Sequence, residues 1–141
     1  MSVPDVVINY WAVLLSAFAA MIIGSLWYSP MLFGGIWMKL SGIKMKNARK
    51  AKKKGMGKAY FLAFIGALIM ACVLAHFLKY VGATGIGDAL QLASWIWLGF
   101  IAPIQLGIVL WEGKPVKLYL INTLYYLVVF IVMSIVLVLW Q

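Results

Sequence analysis

The side chains able to do chemistry are few. His76 is the only histidine and Cys72 the only cysteine. They stand four residues apart and share a helical face, but two ligands do not make a zinc site. The acids are Asp5, Asp88 and Glu112. Asp88 and Glu112 bracket one apolar stretch, so they cannot work as a general acid–base pair. No nucleophile–base–acid set and no glycine-rich phosphate loop is visible. The residues therefore offer no catalytic group, no metal site and no cofactor site. What remains is a set of polar side chains within or beside apolar stretches. Ser25, Gln105 and Asn122, with Tyr28, Glu112 and Tyr126 at their margin, form a candidate inner cluster. Asn9, His76, Asp88 and Gln91, with Lys79 nearby, form a candidate outer cluster. Polar groups at lipid depth turn inward and find partners. They do so either around a ligand or as hydrogen-bonded glue between helices, and both readings stand.

The elements that position these residues follow from composition. Of 141 residues, 66% are hydrophobic and only 11% charged. A soluble domain carries about 25% charged residues, so this chain cannot clothe a soluble core and needs lipid as solvent. Helices are expected over about 6–29, 59–80, 88–111 and 117–140. Each is a little over twenty residues, and about 20 residues cross a hydrocarbon core of about 30 Å. Lipid forces the backbone to satisfy itself, and no stretch alternates as a barrel strand would. The fold class is all-α, a single multi-pass domain of the cell membrane with four transmembrane helices. The first stretch lacks the basic flank and short apolar run of a cleaved signal peptide. A lone cysteine excludes an internal disulfide.

Charge sets the orientation. Of 12 basic residues, Lys39, Lys44, Lys46, Arg49, Lys50, Lys52, Lys53, Lys54 and Lys58 lie between helices one and two, and Lys114 and Lys117 between three and four. Lys79 alone falls at the other end. The positive-inside rule places both basic loops in the cytoplasm and both termini outside.

"LWYSPMLFGG", Leu26 to Gly35, joins the first helix to the basic loop. Trp27 and Tyr28 are expected at headgroup depth, and Pro30 ends or kinks the helix near Ser29. Residues 31–43 are apolar but too short to span. They suit a segment lying on the inner leaflet, with a re-entrant loop as the alternative. Residues 44–58 form a basic cytoplasmic loop that fixes topology and attracts anionic lipid headgroups, at about 1 kcal/mol per Lys or Arg. No folded soluble module surrounds the run, so nucleic acid is not an expected partner.

Small residues recur every four positions. Ala12, Ser16, Ala20 and Gly24 line helix one, and Ala59, Ala63, Ala67, Ala71 and Ala75 line helix two. Such rows let two backbones approach closely. Gly99, Pro103 and Gly107 make a third row on helix three. Helix four has none and is expected to face more lipid. The short link "EGKP" makes helices three and four antiparallel neighbours. Gln105 and Asn122 then fall at matching depth and are expected to meet, with Glu112 near the mouth able to attract a cation.

The segments "NYWAV", "LWYSPMLFG", "MGKAYFLAF", "AHFL", "WLGFIAPIQLG" and "WEGKPVKLYLIN" occur in that order over nearly the whole chain. In this the sequence resembles the small membrane proteins grouped as domain of unknown function 1761. The resemblance implies four membrane helices and no particular substrate, cofactor or catalytic residue. Two classes of function fit. One is a small translocating or ligand-binding protein acting as a homo-oligomer. The other is an accessory or structural subunit docked to a larger complex through Trp95, Trp97 and the surface of helix four.

Overall fold

The chain folds into six helices in a computed structural model that describes residues 3–141, apart from the side chain of Met45. They are α1 (Tyr10–Trp27), α2 (Gly34–Ser41), α3 (Met45–Lys54), α4 (Gly57–Tyr80), α5 (Ile86–Leu110) and α6 (Val116–Leu139). No strand occurs among the described residues. α1, α4, α5 and α6 are each long and apolar enough to cross a membrane.

The first helix begins later than its hydropathy suggests, because Asn9 caps it. The Asn9 side-chain oxygen accepts from the backbone N–H of Trp11 at 3.1 Å and of Ala12 at 3.4 Å, donors that the first turn otherwise leaves unpaired. Asn9 Nδ2 also donates to the Trp140 carbonyl at 3.1 Å, so the two chain ends meet at one end of the bundle. At the opposite end, Lys114 Nζ reaches the Ser41 carbonyl at 3.4 Å, which joins the two basic connections.

α1 stops at Trp27, three residues before Pro30. The chain then reverses tightly, with Phe33 N–H donating to the Trp27 carbonyl at 3.0 Å and Gly34 N–H to Ser29 at 2.9 Å. A Cβ on Gly34 would lie 2.2 Å from the Tyr28 carbonyl oxygen. Only glycine fits that approach. The apolar run after Pro30 thereby becomes α2, which packs against α6 rather than resting on headgroups alone. The Phe33 ring lies 4.7 Å from that of Trp27.

The basic segment is not a loop throughout. Residues 45–54 are helical, as strong helix formers such as Ala, Lys and Arg favour, and Gly55 closes the helix at φ +83°. α3 remains almost wholly exposed.

α1 and α4 share the most extensive helix contact in the fold. Ala12, Ser16 and Ala20 on one side and Ala67, Ala71 and Ala75 on the other are buried. The α4 row does not reach Ala59 and Ala63, which are exposed. Between Met21 and Ala63 a pocket of about 230 Å³ opens, edged by Tyr125 and Tyr126.

The expectation for the fourth helix is overturned. α6 packs against α1, α4 and α5 and has the largest buried share of the four spans. Two alanine-faced helices leave a groove at their back. Val129, Phe130, Met133 and Leu137 of α6 fill it, whereas alanines could not. Even Val136, between these buried positions, is half-buried. α5 is the outermost span, with the smallest buried share. Its third small row does not pack within the chain, since Gly99 and Pro103 are exposed.

Candidate functional site

α6 is fixed at one level by three side chains. Trp27 Nε1 donates to the Ile121 carbonyl at 3.0 Å, and Trp97 Nε1 to the Thr123 carbonyl at 2.6 Å. Between them, Asn122 Oδ1 accepts from the Tyr28 hydroxyl at 2.8 Å. An indole N–H out of water needs a partner, and here a helix backbone supplies two. Trp27 therefore points toward α6. The Thr123 hydroxyl turns back to the Tyr119 carbonyl, and the Tyr119 hydroxyl crosses to the Ala102 carbonyl of α5 at 2.8 Å.

α5 reaches this level through a change of register. Ala89 and Ala93 are buried against α6. A regular helix would next turn Phe100 and Ile104 inward. Both are exposed instead, at 65% and 72%. Residues Trp97–Ile101 form a π-turn, which holds one extra residue and rotates the segment beyond it. Pro103 accounts for part of this, because it has no N–H for the Gly99 carbonyl. Trp97, Ile101 and Gln105 thus succeed one another on the inner side, and each is half-buried.

The result is a cavity of about 510 Å³ among α1, α2, α4, α5 and α6. Ser25, Tyr28, Gln105, Asn122 and Tyr126 of the expected inner cluster line it, together with Trp37, Tyr60 and Tyr125. Glu112 does not; it lies exposed in the turn between α5 and α6. Gln105 and Asn122 share the cavity without bonding to each other, and the Asn122 oxygen accepts from Tyr28 instead. The Gln105 amide has no hydrogen-bond partner among the described residues. The Ser25 hydroxyl donates to the Met21 carbonyl of its own helix at 2.9 Å. Gly24 leaves room for Tyr125, whose hydroxyl would stand 3.0 Å from a Cβ there.

The inner cluster expected from the sequence includes Tyr28 and Tyr126 but not Tyr125, Trp37 or Tyr60. Tyr125 follows Asn122 by three residues and Tyr126 by four, the spacing of one helical face, so that part was legible. Trp37 and Tyr60 gave no such sign, since rings near basic residues also suit interfacial anchors.

The outer residues do not form one cluster. Asn9 binds the C-terminal segment. Lys79 Nζ donates to Gln141 Oε1 at 3.2 Å. Asp88 accepts from the backbone N–H of Thr84 at 2.9 Å and of Gly85 at 3.3 Å, the role of a carboxylate at a helix start. Gln91 and Asp88 edge an open pocket of about 280 Å³. His76 Nδ1 lies 2.7 Å from the Cys72 carbonyl one turn back. No group of three His, Cys, Asp or Glu capable of holding a metal occurs among the described residues.

A family model described as a protein of unknown function, DUF1761, matches residues 11–138. No match to a curated protein or to a solved structure was found.

Proposed function

The chain belongs to the DUF1761 family of proteins of unknown function, and from that premise we propose that it is a small multi-pass protein of the cell membrane that binds a ligand, or carries one across, in the cavity among its helices. The observation behind this reading is the cavity itself. It is about 510 Å³ in volume and carries the unpartnered Gln105 amide beside Asn122. Pockets of this size with a few convergent polar groups are the usual form of small-molecule sites, and a polar amide held among apolar spans needs a partner. In this proposal both termini lie outside, the basic segment faces the cytoplasm, and α3 rests on anionic headgroups. The protein acts as a homo-oligomer through the outer face of α5, where Gly99 and Pro103 offer a close-approach surface.

A thermal-shift screen of purified protein against a small-molecule collection tests the ligand reading. At least one compound should stabilise the wild-type chain and fail to stabilise Gln105→Leu. A screen in which every stabilising compound acts equally on both proteins would remove the site. Native mass spectrometry from mild detergent tests the assembly. A defined homo-oligomer is expected, whereas monomers held to unrelated chains would replace it with an accessory subunit.

A further inference from the structure

Five of the twelve residues lining the cavity are aromatic, and none is charged. Tyr28 meets Trp37 with ring centroids 5.4 Å apart and planes inclined by 67°. Tyr28 meets Tyr125 at 5.2 Å and 65°, and Tyr125 meets Tyr126 at 5.2 Å and 53°. Trp37, Tyr28, Tyr125 and Tyr126 thus pack in a continuous inclined chain of rings along one side of the cavity. Tyr60 of α4 adds a fifth ring to the lining. Among the described residues, no Lys, Arg, Asp or Glu lines the space, although most of the chain's basic residues lie in the connections at this end.

These features bear on the charge and hydration of a ligand. Ring faces carry negative potential, so they disfavour an anion. The cavity has no carboxylate to replace the water shell of a compact, strongly hydrated cation. A cation with an apolar skin and weak hydration loses little on entry and gains from every ring face within about 6 Å. We propose that the cavity is an aromatic cage for a quaternary or fully alkylated ammonium group. The group belongs either to a free organic cation or to a choline-type lipid headgroup. The amides of Gln105 and Asn122 hold the polar part of the same ligand. This proposal rests on the ligand-binding reading and names its chemical class.

The test uses the full-length protein in an uncharged detergent and equilibrium dialysis with radiolabelled tetraethylammonium. Choline and 3,3-dimethylbutanol, its uncharged carbon isostere, serve as competitors. Choline should compete at least about tenfold better than the isostere. Tyr126→Phe keeps the ring and should retain binding, whereas Tyr126→Leu and Trp37→Leu should each weaken it by about tenfold. An isostere that competes as well as choline would overturn the cage on wild-type protein alone, whatever the variants do. So would binding that survives both leucine changes. If uncharged or anionic compounds stabilise the protein through Gln105 while tetraethylammonium does not bind, the cage falls and the ligand site stands. If no compound of any charge acts through Gln105, both fall. Reconstitution separates the two sources. Weaker tetraethylammonium binding in phosphatidylcholine vesicles than in vesicles where phosphatidylethanolamine, of the same net charge, replaces most of the phosphatidylcholine assigns the cage to a lipid headgroup, and equal binding assigns it to a free cation.

Discussion

The Tyr28 hydroxyl donates to Asn122 Oδ1 across 2.8 Å and so ties the end of α1 to the cytoplasm-proximal third of α6 in the proposed orientation. The carbonyls on either side of Asn122, at Ile121 and Thr123, receive the indoles of Trp27 and Trp97. Three helices are therefore locked together at the level of one asparagine, and that level is also the wall of the cavity.

This bond should carry a modest energy and a clear coupling. Tyr28→Phe removes the donor and leaves the ring in place. Hydrogen bonds between membrane helices average about 0.6 kcal/mol in double-mutant cycles. Tyr28→Phe and Asn122→Leu should each destabilise the protein in detergent, and the double variant should lose less than the sum. Strict additivity in a denaturation series would mean that the two side chains act independently.

The turn after α1 allows a matched comparison. Gly34 and Gly35 are adjacent, yet a Cβ at Gly34 would meet the Tyr28 carbonyl at 2.2 Å and one at Gly35 would meet nothing within 4 Å. The obstructing atom is backbone and cannot swing away. Gly34→Ala should cost about 1–3 kcal/mol, as overpacking does. Gly35→Ala should be neutral or slightly stabilising, because alanine favours helix over glycine. Equal melting temperatures for the two variants would mean that the reversal at Pro30 does not depend on that approach.

Much of this architecture could be read from the residues, and the rest could not for identifiable reasons. Hydropathy over about twenty residues locates a span, so all four were legible. The four-residue spacing of Ala12, Ser16 and Ala20 and of Ala67, Ala71 and Ala75 identified one packed pair. Which helix is central is a different question. It depends on who fills the groove behind that pair, and uniform Leu, Val and Ile on α6 give no facial contrast to show it. The π-turn at Trp97–Ile101 was equally hidden. One inserted residue changes every facing beyond it, and Pro103 hints at a disturbance without giving its sense. The inner polar residues could be grouped by depth. Their partners could not, because Tyr28 reaches Asn122 only once the reversal at Gly34 has set the end of α1.

Close packing of α1 against α4 predicts an asymmetric response to added volume. Ala67 is buried in that seam, whereas Val73 on the same helix is 48% exposed. Ala67→Leu should separate the two backbones and cost about 1–3 kcal/mol. Val73→Leu adds volume toward lipid and should change stability by less than about 0.5 kcal/mol. Thermal denaturation in detergent distinguishes the two, and similar losses at both positions would contradict a small-residue seam.

The proposed orientation rests on lysine distribution and can be tested without a ligand. Asn9 and Trp140 meet at one end of the bundle, and Lys114 and Ser41 at the other, so a single labelled site fixes the sense of the whole chain. Cysteines introduced singly at Lys50 and at Gly85, in a Cys72→Ala background, report the two ends. Gly85 lies in the turn between α4 and α5, and Lys50 lies exposed on α3. An impermeant thiol reagent applied to intact cells should modify position 85 and leave position 50 unmodified until the cells are opened. Both positions should react after lysis, which controls for exposure. Eleven of the 12 basic residues lie in the two connections or in the first turns of the helices that follow them, at the end proposed to be cytoplasmic, and moving them across the membrane would oppose the strongest known determinant of topology. Labelling at 50 and not at 85 in intact cells would invert the protein. The cavity beside Gln105 would then open toward the outside, and any ligand it holds would have to arrive from there.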